Sequence, residues 1–158
     1  MRRTFADALY KQMQKDTNIY LLVGDLGYKV FDKHFSDFPD RCINCGASEQ
    51  AMLDLATGMA YDGRKVFVYT FTPFFLRAVE TIRTYFSHES LPVVMVGSGR
   101  DHDYESDGYS HDASDIKKIF EALGGISLYF PEEKLALPNI VHNALRSKKP
   151  VFISLQRG

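Results

Sequence analysis

Short apolar runs alternate with longer stretches of helical periodicity along this chain, and that alternation constrains its fold more than any other feature. Ile19–Val23, residues 92–96 and Val151–Leu155 are almost continuously aliphatic, the pattern of strands buried on both faces. Weaker or alternating strands are expected at 42–45, 65–70 and 126–130. Helices are expected between them. The first opens on a capping box of Thr4 and Asp7 and runs to about residue 15. Others cover 48–61, closed by Asp62-Gly63, 73–87, opened by Pro73, then 113–123 and 132–146. Strands alternating with helices predict an α/β fold, a three-layer α/β/α arrangement around a mostly parallel sheet. The 158 residues suffice for one sizeable core. No repeat, low-complexity tract or linker divides them, so 1–158 reads as a single domain.

In sheets of this kind ligands bind beyond the carboxyl ends of the strands. Gly24-Asp25-Leu26-Gly27 follows the first expected strand and Gly46-Ala47-Ser48-Glu49 the second. Thr70-Phe71-Thr72-Pro73-Phe74, Gly97-Ser98-Gly99-Arg100-Asp101 and Gln156-Arg157 follow later ones. Small residues, carboxylates, arginines and aromatics thus converge on one rim. Glu49 is the oddest of them. It falls on the axis of the apolar stripe Met52, Leu53, Ala56 and Ala60, where a carboxylate is out of place unless something there needs it. The alternative is a first-turn acid favoured by the helix dipole. The polar stretch 98–112 holds two histidines and five acids. It is either a solvated surface or a functional loop, and its length favours the second.

Net charge is −1 and no basic run occurs, so no footprint for nucleic acid or an anionic membrane is present. Nothing approaches the apolar length of a membrane span, and the first residues lack the apolar core of a signal peptide. A cytoplasmic protein is expected. Cys42 and Cys45 form a C-x-x-C pair. Such a pair suggests half a zinc site or a redox dithiol. No further Cys or His lies near enough in sequence to complete the first, so reduced thiols in a packed core are the plainer reading.

The ordered set Asn44-Cys45-Gly46-Ala47-Ser48-Glu49-Gln50-Ala51-Met52, Gly58-Met59-Ala60, Thr70-Phe71, Phe74, Arg77-Ala78 and Asp107-Gly108-Tyr109-Ser110-His111 resembles the pyrimidine-binding domain of transketolases. Deoxyxylulose-phosphate synthases are similar and share an ending like Arg157-Gly158. The resemblance spans essentially the whole chain. It implies that Glu49 hydrogen-bonds the aminopyrimidine ring of thiamine diphosphate and shifts it to the tautomer that activates the cofactor. It implies that Phe71 and Phe74 flank that ring, with Asp25 and Arg77 also near the cofactor. Asp107 and His111 match a D-G-x-[ST]-H motif that contacts sugar hydroxyls and the carbonyl, with His111 in a catalytic role. Arg157 and, across a one-residue gap, Arg3 match positions that hold the substrate phosphate, a task suited to guanidinium forks.

Two departures accompany the likeness. Gly99 stands where transketolases carry a substrate histidine, and His102 is the residue that could replace it after a shift. The G-D-G followed by Asn that holds the cofactor's diphosphate through Mg2+ or Ca2+ is absent from this sequence. The resemblance therefore implies one subunit of a split enzyme. A separate diphosphate-binding subunit would carry that motif and the metal, in a heterotetramer that transfers a ketol unit between sugar phosphates. A decarboxylating synthase of deoxyxylulose-phosphate type and a non-catalytic regulatory subunit are the alternatives.

Overall fold

The computed structural model describes residues 1–157; Gly158 of the Arg-Gly ending lies outside the described residues. Six strands form one sheet: β1 (Ile19–Val23), β2 (Cys42–Asn44), β3 (Lys65–Phe71), β4 (Val94–Ser98), β5 (Ser127–Tyr129) and β6 (Val151–Leu155). Their order is β2-β1-β3-β4-β6-β5, and every pairing is parallel. The helices are α1 (Arg2–Met13), α2 (Asp32–Asp37), α3 (Glu49–Tyr61), α4 (Val79–Thr81), α5 (Ile116–Leu123) and α6 (Leu137–Arg146). They cover both faces, as the long aliphatic strands require. On one side α1 and α6 pack over Leu21, Phe67, Val96 and Ile153. On the other, α3 and α5 pack over Leu22, Val68, Met95 and Phe152. Alternate residues of the same strands thus fill two cores.

The local departures from the sequence reading have physical causes. α1 starts at Arg2, and its N-cap Met1 makes no side-chain capping bond; the Thr4–Asp7 capping box does not form. Burial of Phe5, Leu9 and Met13 at four-residue spacing sets the helix instead. β4 begins at Val94, because Pro92 has no N–H for the ladder. The expected helix at 73–87 divides into a 3₁₀ run Thr72–Ala78, the short α4, and a π segment Ile82–His88. The helix expected from 132 begins as a 3₁₀ turn Lys134–Ala136 and becomes α6 with Pro138 in its first turn. Helix α2 was not foreseen. It is six residues long and carries no extended apolar stripe; its buried His34 docks onto the carbonyl of Ala6 through Nε2 at 3.1 Å. Among the described residues no helix is long and apolar enough to cross a membrane.

Candidate functional site

The site begins with a difference in strand length. β1 ends at Val23, opposite Tyr69, while β3 continues two residues to Phe71. The Gly24 N–H donates to the Tyr69 carbonyl at 2.9 Å. The backbone then turns away through Asp25, which holds a left-handed φ of 51°. Asp25 tolerates that conformation because its neighbour secures it: its N–H donates to Asn44 Oδ1 at 3.1 Å. On the far side of β3 the ladder continues, with Thr70 opposite Gly97. The end of β3 is therefore open toward α3.

Glu49 enters that opening. It is the first residue of α3 and only 2 % exposed. Thr70 Oγ1 donates to its Oε1 at 3.2 Å, and Arg77 Nη1 donates to its Oε2 at 2.7 Å. Gly24 lies alongside. A Cβ there would come within 3.2 Å of Thr70 Oγ1 and 3.6 Å of Glu49 Oε1, so the absent side chain leaves a cradle beside the carboxylate. The acid is thus buried, ionically partnered by a side chain that is itself half exposed, and approached from one side by bare backbone.

Arg77 connects Glu49 to an aromatic cluster. Its guanidinium lies 3.9 Å from the Phe74 ring centroid. Phe74 and Phe71 meet edge to face at 5.2 Å, and the His111 ring sits 5.0 Å from each. Phe71 also meets Tyr104 at 4.9 Å, and the Arg157 guanidinium lies 4.8 Å from Tyr104. The 3₁₀ geometry explains the row. With three residues per turn, Phe74 and Arg77 eclipse one another along one side of the Thr72–Ala78 run, and Phe71, the still-extended last residue of β3, meets Phe74 from just before it. A seven-residue 3₁₀ run is unusually long, and it presents these side chains to the rim.

Glu49, Arg77, Phe74, His111 and Phe71 are therefore brought together in one line of contacts, which reaches Arg157 through Tyr104. The other expected residues sit around it. Asp25 lies in a hollow of about 370 Å³ with Tyr28, Phe31 and Asn44. Arg3 and Arg157 line a second hollow, and Tyr28 borders both. Asp107 is exposed, and among the described residues its carboxylate accepts a hydrogen bond only from the Ser106 hydroxyl, at 3.4 Å. His102 faces its own acids, with Nδ1 2.8 Å from Asp112 and 3.9 Å from Glu105. Hydrogen bonds from Ser114, with His102 adding to them, hold the Asp112 carboxyl down at about 2, and Asp112 in turn raises His102 above its ordinary value.

Gly99 has φ +85°, and a Cβ there would meet the Tyr104 ring at 2.4 Å. Tyr104 fills the space that a side chain at 99 would need. The cysteines run opposite to a redox dithiol: burial pushes the Cys42 thiol up to about 11 and raises Cys45 as well. Two contributors, Tyr104 and Asp103, were not singled out in the sequence, and Thr70 was named there only within longer stretches, with no role of its own. Thr70 shares strand parity with the buried Val66 and Val68, a signal that could have found it. Tyr104 and Asp103 lie in a polar stretch that gave none.

Comparison with known proteins shows the family of the chain. The sequence profile of the family described as "Transketolase, pyrimidine binding domain" matches residues 1–158. A 6-deoxy-6-sulfo-D-fructose transketolase subunit of Clostridium sp. strain MSTE9 is 31% identical over 159 residues, covering 99% of this chain and 49% of that protein. Human transketolase is also 31% identical, over 158 residues, covering 99% of this chain and 25% of that protein. Among solved structures, a split-gene transketolase described as an inactive β4 tetramer superimposes with a TM-score of 0.86 at 27% identity. The match covers 99% of this chain and 51% of that one. The chain thus spans about half the length of the first curated relatives it matches. With the profile matched from end to end, the chain belongs to the transketolase pyrimidine-binding domain family.

Proposed function

We propose that this chain is the pyrimidine-binding half of a split, thiamine-diphosphate-dependent transketolase, active with a separate diphosphate-binding subunit. The observation that carries the reading is Glu49: a carboxylate buried on an apolar helix face, held by Thr70 and Arg77 and joined through Arg77 to the cluster of Phe74, Phe71 and His111. The site fits an aminopyrimidine. Glu49 offers a desolvated acceptor, Gly24 leaves room beside it, and Phe71 and Phe74 supply half-buried aromatic surface.

When bound, thiamine diphosphate supplies a carbon acid that becomes the nucleophile of ketol transfer. The residues of this chain act around it. With the cofactor bound, Glu49 would accept a hydrogen bond from the aminopyrimidine at its buried oxygens and so bias that ring's proton placement. Phe71 and Phe74 hold the ring plane and exclude water, with Asp25 and Arg77 alongside. His111 donates to the oxygen of the reacting carbonyl, and Asp107 contacts a sugar hydroxyl. Arg3 and Arg157 hold the substrate phosphate. His102 is the candidate to contact the donor sugar where Gly99 has no side chain. Mg2+ or Ca2+ and the G-D-G…N motif belong to the partner, and the assembly is a cytoplasmic heterotetramer.

The test is reconstitution. The purified chain with thiamine diphosphate and magnesium should show no turnover. Adding a diphosphate-binding subunit from the same genome should yield ketol transfer from a ketose phosphate to an aldehyde. Turnover by the chain alone would overturn the split reading. A complex that binds the cofactor but only decarboxylates a 2-oxo acid would move the assignment to the synthase type.

A further inference from the structure

Arg157 and Arg3 do not stand alone in their hollow. It encloses about 440 Å³, and its lining holds five cationic side chains, Arg2, Arg3, Lys29, Lys134 and Arg157, with no carboxylate among them. They come from four separate places. Arg2 and Arg3 form the first turn of α1, which contains no acidic residue and no side-chain cap, so the positive end of the helix dipole adds to the same field. Lys29 comes from the loop after β1, in a left-handed turn (φ 60°) that its N–H fixes by donating to Asp32 Oδ1 at 2.9 Å. Lys134 opens the 3₁₀ turn before α6. Arg157 follows β6 and is tied to Asp103 twice: its backbone N–H donates to Oδ2 at 2.8 Å, and Nη1 donates to the carbonyl at 3.3 Å.

The chain has 20 acidic residues for 19 lysines and arginines. Yet among the described residues none of these five cations forms an ion pair with a carboxylate. Asp103 and Asp32 accept from the backbone N–H groups of Arg157 and Lys29 and not from their charged heads, so the five cationic heads share the hollow without an ion-paired partner. One phosphate monoester is satisfied by a two-arginine fork. Three further cations exceed that need.

We infer that the hollow accepts a ligand terminus bearing two anionic groups, such as a diphosphate, with Arg3 and Arg157 on one group and Arg2, Lys29 and Lys134 on the other. This rests on the proposed role of Arg3 and Arg157 and narrows the substrate class from singly to doubly anionic termini.

The experiment is calorimetric titration of the metal-free chain with inorganic phosphate and with pyrophosphate, circular dichroism verifying the fold of each variant. Pyrophosphate should bind at least about tenfold more tightly than phosphate, the scale of one added charged contact. The double substitution Lys29→Ala/Lys134→Ala should abolish that preference while leaving phosphate affinity within about twofold. Arg157→Ala should weaken both anions. The exposed pair Lys148→Ala/Lys149→Ala removes the same charge elsewhere and should change neither. Absence of binding by both anions would overturn the inference. So would a preference that survives Lys29→Ala/Lys134→Ala or falls equally with Lys148→Ala/Lys149→Ala. Because the measurement involves no turnover, its outcome is separable from failure of the reconstituted enzyme to transfer a ketol unit.

Discussion

Glu49 shows how much one side chain's surroundings decide. As a helix-end charge it would be dispensable, since such charges are worth about 0.3–1 kcal/mol when exposed. It is not exposed, and its two oxygens take different partners, Thr70 and Arg77. Glu49→Gln preserves the shape and an acceptor oxygen but removes the charge that would stabilise a protonated ring nitrogen. Activity of the assembled enzyme should fall by at least about a hundredfold, the range of a lost acid–base group. Stability should change by no more than about 1 kcal/mol, because the half-exposed Arg77 can turn to water. Arg77→Met reverses the pattern: it strands a buried carboxylate and should cost about 1–3 kcal/mol. Thermal melts beside deuterium exchange at the cofactor's thiazolium carbon, in the presence of the partner, would separate the two. Near-normal exchange in Glu49→Gln would return this residue to a structural role.

At the scale of elements, β1 and β6 were legible to the residue because uninterrupted aliphatic runs have one good use, a strand covered on both sides. The burial of Glu49 was legible from its place on the stripe of α3. The 72–88 segment was not. Its composition suits an α-helix, yet it winds as a 3₁₀ run over Thr72–Ala78 that places Phe74 and Arg77 in contact beside Phe71, and as a π segment from Ile82 on. The loop between β4 and α5 stood out in the sequence by length alone, but its wiring depends on contacts between residues far apart in sequence, such as Asp103 with Arg157. Within it the His102–Asp112 pair has a defined pH behaviour. Asp112 raises His102, so the pair's contribution is fully present below the ordinary histidine value near 6.5 and is lost as pH rises through the higher folded value. For Asp112, held at about 2, the contribution is present above the ordinary 3.8 and is lost as pH falls toward 2. A proton NMR titration should place the His102 midpoint above 6.5, and Asp112→Asn should bring it down. A midpoint at or below 6.5 in the unmodified chain would mean the pair does not persist in solution.

For the whole molecule, a net charge of −1 conceals a segregation. Five acids lie in the stretch 98–112 while five cations line one hollow beside α1, a pattern that only the fold reveals. The same sheet also ties the molecule's two halves together. Leu21, Phe67, Val96 and Ile153 point into one core, and their strand neighbours Leu22, Val68, Met95 and Phe152 point into the other. Neither helical layer can detach without exposing a full face of apolar side chains, at about 25 cal/mol for each Å² returned to water. The isolated chain should therefore unfold in urea as one cooperative transition. The methionines provide independent reporters, since Met13 lies in the α1–α6 core and Met52 and Met95 in the opposite one. Carbon-13 methyl signals from the two sides should lose intensity at the same urea concentration, coincident with far-ultraviolet circular dichroism. If the Met52 and Met95 signals collapsed well before Met13, the α3–α5 face would be an independently loosening layer. Glu49 and the aromatic row would then need the partner subunit to be held in the geometry described above.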